Sequence, residues 1–318
     1  MMVVWLALAA NSSARDVYVD NVAGNDMVDG SSERTACRTI ARALRAAQRG
    51  DRIVLANTGQ PYRESITLQG GRHSGAPDRP FEIVGNGAIL EGAGAVPQRG
   101  WEHAHGNVFR CSPPLKSYQL LFLDGKPAAR VETQRSDRQL PDLEPREWCL
   151  FERQIYFCVD EGRLPQHYDL SYSALPVGIT LYEVRNVIIR DLVVQGFQLD
   201  GINAHDGVFA ATLNGVTCRG NARSGISVGG ASRIRIEGCL VGNNGAAQVR
   251  TEGHSHTHIA DTNLLDNTAP PLVREGGKVY MDGADKAEDQ QAVLSPRRPA
   301  RPSATSFVRQ ALARRTAY

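Results

Sequence analysis

The stretch NVIIRDLVVQGFQLDGINAHDGVFAATLNGVTC, residues 186–218, holds short Val, Ile and Leu runs separated by Gly, Asp and Asn. The same pattern recurs as far as residue 273. Asn221, Asn244 and Asn267 fall 23 residues apart, and Ile202, Ile226, Val249 and Val273 fall 24, 23 and 24 apart. Ile189, Leu213, Ile236 and Ile259 keep the same step, as do Leu192, Val216, Cys239 and Thr262, and then Val194, Cys218, Val241 and Leu264. A unit of strands and turns this short cannot bury its own apolar face, but stacked coils can, so the repeat predicts an all-β solenoid. Within a coil the apolar residues alternate, as in VIIRDLVV and IRIEGCLV, and the phase changes at a Gly, Asp or Asn where the chain turns a corner. Coils stack roughly 4.8 Å apart, so each column becomes a ladder of like residues. The asparagine column is expected at a bend, with its amides bonding from coil to coil and its backbone tolerating the left-handed region.

The first part of the chain fits the same plan. CRTIARALRAAQRGDRIVLANTG reads as an amphipathic helix with Ile40, Ala43, Leu44 and Ala47 on one face, stopped by Gly50 and followed by a strand over 52–56. Such a helix can cover the end of a solenoid, which would otherwise expose core and unpaired strand edges. The order YVD…GND…DG, helix, GDRIVLA, YRESI resembles the opening of right-handed parallel β-helix proteins of the pectate-lyase-like superfamily, and the later coils resemble that superfamily's repeats. The resemblance implies a right-handed parallel β-helix with an N-terminal capping helix. It leaves function open, since the superfamily includes polysaccharide lyases, glycoside hydrolases, epimerases and phage adhesins. Residues 93–185 interrupt the repeat and read as an inserted β-rich lobe between residues 15–92 and the coils of 186–280; inserts of this kind in β-helix glycosidases can wall a substrate groove.

Charge and termini narrow the function class. The net charge of +2 is uneven: residues 296–318 carry six arginines and no acid, leaving the rest at −4. A mildly acidic body argues against a nucleic-acid partner. Residues 281–318 are charged and proline-rich and read as a flexible basic tail. Residues 1–14 read as a signal peptide, with an apolar run too short to span a bilayer and no basic residue before it. The expectation is a monomeric protein of the cell envelope or exterior, without a membrane span and short for its superfamily, so that a truncated or degenerate relative is within reach. Cys218 and Cys239 fall on core columns. Cys149 and Cys158 flank a hairpin read as turning at Arg153-Gln154, which would set them opposite each other and allow a disulfide in an oxidising compartment.

Two clusters carry chemistry. His254, His256 and His258 alternate on one strand. His256 and His258 are expected to point outward and could ligate zinc, but no third ligand or second shell accompanies them, so a solvated face is the preferred reading and no metal is assigned. One strand earlier, DGINAHD, SGISVGG, AQVRTEG and PLVREGG align. If Ile202, Ile226, Val249 and Val273 point inward, then Asn203, Ser227, Arg250 and Arg274 share an outward column, and His205, Gly229, Glu252 and Gly276 share the next. Asn203, Arg250 and Arg274 are read as substrate-binding, since guanidinium groups pair with uronate carboxylates. His205, Glu252, Asp200 and Asp206 are read as candidate catalytic groups: His205 as the base of an elimination, or Glu252 with Asp200 or Asp206 as the carboxylates of a hydrolysis. Calcium on Asp200 and Asp206 is conceivable, but two carboxylates are few for that ion and no cofactor is assigned. The leading reading is an enzyme that cleaves an acidic polysaccharide by β-elimination or hydrolysis. The alternative is a non-catalytic glycan-binding or structural solenoid, and a metal enzyme built on the histidines comes third.

Overall fold

The computed structural model describes residues 14–114, 117–134 and 136–282. Both the expected signal peptide (save Ala14) and all but the first two residues of the basic tail lie outside the described residues. A large sheet winds through three faces. On the first face, Ile66–Gln69, Ile179–Tyr182, Asp200–Asp206, Ser224–Val228 and the first parts of Ala247–Ala260 and Leu272–Met281 pair in parallel. The second face runs from Asp16–Val19 and Arg52–Leu55 through Phe81–Glu91, Arg185–Gln195, Phe209–Asn214 and Arg233–Glu237 to the second part of Ala247–Ala260. The third joins the ends of Phe81–Glu91 and Arg185–Gln195 to Thr217–Arg219, Leu240–Gly242 and Asn263–Leu264. The apolar columns are ladders. Ile202, Ile226 and Val249 lie in register, as do Ile189, Leu213, Ile236 and Ile259, and Val194, Cys218, Val241 and Leu264.

Corners explain the phase changes. Between the second and third faces the backbone is left-handed at Asp191, Gly215, Gly238 and Asp261, with φ from 45° to 62°. This region costs least for Gly, Asn and Asp, which is why those residues recur at this point of each coil. At the next corner Gly196, Gly220 and Asn243 take the left-handed turn, one residue before the predicted asparagine column. Asn221 and Asn244 then face inward and are fully buried. The Asn244 side-chain carbonyl accepts from Asn221 Nδ2 and from the Asn221 backbone N–H, both at 3.0 Å, and Asn244 Nδ2 donates to Cys218 O and Gly242 O. The third rung differs from expectation. Gln248 is fully buried, accepts from Asn244 Nδ2 at 2.8 Å and donates to Asn267 Oδ1. Its longer side chain takes the ladder position, and Asn267 stands exposed.

The helix Ile40–Ala46 buries Ile40, Ala43 and Leu44 and packs against Asp16–Val19, Arg52–Leu55 and Ile66–Gln69, in one apolar cluster with the solenoid interior. Glu64 accepts from the N–H groups of Ile40 and Ala41 at 2.8 Å, satisfying donors that a helix start leaves open. His73 ties the other end, accepting from the Gln69 N–H and facing Leu44 O at 3.1 Å, and burial pushes its pKa below the usual range.

Two small sheets interrupt the solenoid. One joins Ala93–Ala95, Leu121–Leu123, Lys126–Pro127 and Leu170–Ser173; the other joins Glu102–His105, Val108–Cys111, Ala129–Arg130, Glu147–Phe151 and Gln154–Cys158. Solenoid pairing resumes at Ile179, ahead of the repeat visible from Asn186. The hairpin corrects the cysteine geometry. Its turn lies at Glu152 and Arg153, both left-handed, so Phe151 faces Gln154 and Cys149 faces Tyr156. Cys149 and Cys158 are therefore diagonal, not opposite, and both are free and buried.

Replacing Asn244 by Ala is expected to leave the buried Asn221 N–H without its acceptor and Asn221 Nδ2 with Val194 O alone, and to cost about 2 kcal/mol in urea unfolding. Unfolded chain kept free of reductant is expected to titrate six thiols with an aromatic disulfide reagent.

Candidate functional site

The first face places the predicted residues on its outer side. Asn203, Ser227 and Arg250 share one column, which runs back through Thr180 to Thr67. The far end of the column is a correction: Leu272, not Val273, takes the inward place beside Val249, so Val273 stands beside Arg250. The coil keeps its 23-residue step because Leu272 packs on the core and Gly276 stays on the corner with Gly253. Arg274 consequently pairs with Thr251, away from the Arg250 column, and Glu275 lies beside Glu252 where Gly276 was expected. Arg250 donates to the Glu275 carboxylate and has Glu252 Oε2 at 3.9 Å from its Nε.

Asp200 has another role. Its carboxylate is fully buried and accepts from Arg223, at 2.9 Å from Nε and also from Nη2, and from Ser224 Oγ at 2.8 Å. That ion pair raises the Arg223 pKa. The inserted lobe seals this corner: Ala222 belongs to the apolar cluster of Trp148, Leu121 and Phe157, and Gln198, almost wholly buried, donates to Ser117. A carboxylate so occupied offers nothing to a sugar or to a cation.

Asp206 and Glu252 are open. They lie two rungs apart, with Gly229 and Gly230 on the rung between. A Cβ built on Gly230 would fall 2.0 Å from Asp206 Oδ1, and one built on Gly229 would fall 2.9 Å from Glu252 Oε1 and 3.1 Å from His205 O. Both carboxylates thus lean onto the same side-chain-free rung from opposite neighbours. Asp206 is fixed there by the N–H groups of Ala231 at 3.0 Å and Gly207 at 2.8 Å, which hold its carboxyl below the usual aspartate range. Glu252 is freer, with 46% of its side chain exposed. His205 is exposed beside them, its ring 6.1 Å from that of Tyr182. Sequence reasoning missed Tyr182, Arg223 and Glu275. Glu275 follows from the register that Leu272 sets, and nothing in the repeat marks the other two.

The histidine strand points as expected, with Thr257 fully buried and His256 and His258 on the outer side in register with Arg233 and Arg235. His258 Nδ1 accepts from Arg235 at 2.9 Å, and its Nε2 lies 3.1 Å from Asp282. His254 is exposed just past the corner glycine, Gly253. Among the described residues no group of three or more His, Cys, Asp or Glu is placed to hold a metal ion, and no helix is long and apolar enough to cross a membrane.

The model of the right handed beta helix region matches residues 172–288. A solved glycoside hydrolase superposes with a TM-score of 0.58 at 11% identity, covering 78% of this chain and 73% of its own. The complex of XylC with xylose (TM-score 0.42, 13% identity, 84% and 69% covered) and pectate lyase Pel9A (0.35, 11%, 87% and 79%) overlap less well. Comparison with curated proteins returns no match. Parallel ladders, left-handed corners, the family-model match over residues 172–288 and the superposition on the glycoside hydrolase agree: the chain has a right-handed parallel β-helix fold.

Proposed function

We propose that this chain is a carbohydrate-active protein that hydrolyses a polysaccharide laid along the outer side of its first face. The convergence of Asp206 and Glu252 on the Gly229-Gly230 rung carries the reading. Glycosidic hydrolysis needs two carboxyl groups flanking the bond, one to protonate the leaving oxygen and one to activate water or attack carbon. Asp206, whose carboxyl two backbone amides hold below the usual aspartate range, suits the base, which leaves Glu252 as the acid. Their backbones stand two rungs apart, roughly 9.6 Å, and the inward lean of both side chains brings the carboxyl groups closer than that. The missing side chains at Gly229 and Gly230 leave the space into which the two carboxylates lean, and His205 and Tyr182 offer ring faces beside them. The likeness to a glycoside hydrolase agrees with this reading at the level of fold.

Elimination with His205 as base has less behind it, because the arginine that would quench a uronate charge, Arg250, already faces Glu252 and Glu275. A glycan binder without turnover is the second reading, favoured by the exposure of His205, Asp206 and Glu252.

The test is release of new reducing ends from a broad polysaccharide panel. Glu252→Gln and Asp206→Asn are each expected to lower kcat/KM by at least about 100-fold. His205→Ala is expected to cost less, and no unsaturated product should form. Release by both carboxylate variants at the wild-type rate would move catalysis off this face; no release from any polymer by the wild type would leave the binder. Gly229→Ala is expected to push the Glu252 carboxylate aside and reduce turnover about tenfold with little change in melting temperature, since only the end of a flexible side chain and one carbonyl crowd the new methyl. Because the folded Asp206 pKa is depressed, its contribution to stability is present above the unfolded value and is lost as pH falls through the folded one. An acid-unfolding series should therefore show a shallower loss for Asp206→Asn than for the wild type.

A further inference from the structure

The first face does not end at Thr67. Between the helix and the strand Ile66–Gln69 lies an open groove of about 1000 Å³, lined by Arg45, Arg49, Arg72, Thr67, Gln69 and His73 among others. Its wall contains three arginines and no carboxylate. Elsewhere on the molecule arginines such as Arg15, Arg52, Arg190, Arg223 and Arg250 sit in ion pairs, whereas among the described residues Arg45, Arg49 and Arg72 form none. Two acids outside this wall, Asp26 and Glu64, feel the Arg45 charge without forming an ion pair with it, and their oxygens are bonded elsewhere. Glu64 caps the helix N–H groups, Asp26 accepts from Thr39 and Arg38, and Asp51 takes Arg15 and the Gln48 N–H. Burial and the nearby Arg72 lower the His73 pKa, and its Nδ1 accepts from the Gln69 N–H. The groove is thus a cleft of one sign of charge with a low-dielectric wall, the arrangement that concentrates field lines on an anion.

Register connects it to the proposed cleavage site. Thr67, on the groove wall, begins the outward column that continues through Thr180, Asn203 and Ser227 to Arg250. Four rungs span about 19 Å. The cleavage region is net negative, with Arg250 set against Glu252, Glu275 and Asp206, and the positive charge of the groove lies at the far end of the same face.

We propose that this groove is a distal subsite for the carboxylate or sulfate groups of an acidic polysaccharide whose body lies along the first face, an inference that rests on the polysaccharide reading of that face. Guanidinium groups pair bidentately with either anion, and a second contact point on one polymer raises affinity without any change at the first. The subsite makes binding depend on chain length and on charge together.

The test measures binding to the full chain of end-labelled galacturonate dimer, a long galacturonate oligomer and dextran sulfate, each with wild type, Arg45→Gln/Arg49→Gln and Glu252→Gln. Neither arginine side chain forms an ion pair among the described residues, so the double variant is expected to fold, which a thermal melt checks. The wild type is expected to bind the long oligomer about tenfold more tightly than the dimer, and the double variant to lose that advantage while keeping its affinity for the dimer. Glu252→Gln should retain the advantage even where it abolishes cleavage. A double variant that keeps the length advantage overturns the subsite. Loss of dextran sulfate binding in the double variant, with no binding of either galacturonate by the wild type, supports an anion groove specific for sulfate and overturns the carboxylate form. Length-dependent binding without cleavage by the wild type supports the groove while removing the hydrolytic reading.

Discussion

Everything in this molecule hangs on hydrogen bonding between parallel strands of successive coils. Backbone groups must be paired once buried, and here each rung pairs with the rungs before and after it. That requirement fixes the coil length, because a coil that gains or loses residues must do so at a corner. It also fixes what corners are made of: left-handed residues where the chain changes face, and buried amides such as those of Asn221 and Asn244 where it must turn around the core without leaving polar groups unpaired.

From this constraint comes a division of labour between the two sides of each strand. Inward positions are tied to their ladder and hold apolar residues or bonded amides such as those of Asn221 and Asn244, with Thr257 as a buried hydroxyl that has no hydrogen-bond partner among the described residues. Outward positions answer to nothing but solvent and neighbouring rungs, so chemistry can collect there. Asp206 and Glu252 come from strands far apart in sequence, yet they meet because stacking makes rung neighbours of residues 23 or 24 apart. Asp200, only six residues before Asp206, has a different fate because it stands at the corner covered by the lobe, where Arg223 and Ser224 occupy its oxygens.

Most of the fold is legible in the sequence because a ladder is a periodic object. Ile202, Ile226 and Val249 announce their register by recurrence alone. The last coil departs from its expected register by one residue, since Leu272 and Val273 are both apolar and alternation cannot choose between them; only the packing of Leu272 on the core decides it. The hairpin departs for a similar reason. Its turn residues, Glu152 and Arg153, carry none of the Asn-Gly or Gly-rich signature that marks a two-residue turn, so nothing local fixes the register of Cys149. In the site, the outward placement of His205, Asn203, Arg250 and Glu252 is legible. The lean of two carboxylates onto one glycine rung is not, because it depends on side-chain torsions that periodicity does not encode.

The lobe leaves the solenoid and returns to it at one point. Ala174 and Leu175 both donate to Gly92 O at 3.0 Å, so the chain exits just where it re-enters. An excursion of this shape displaces no ladder and changes no coil length. Its two chain connections sit on one rung, where heredity could lengthen or exchange it, while its packing on Ala222 and its bond to Gln198 tie it to the coils beside that rung. The lobe and the coil lengths of the scaffold that carries it can therefore change independently of each other.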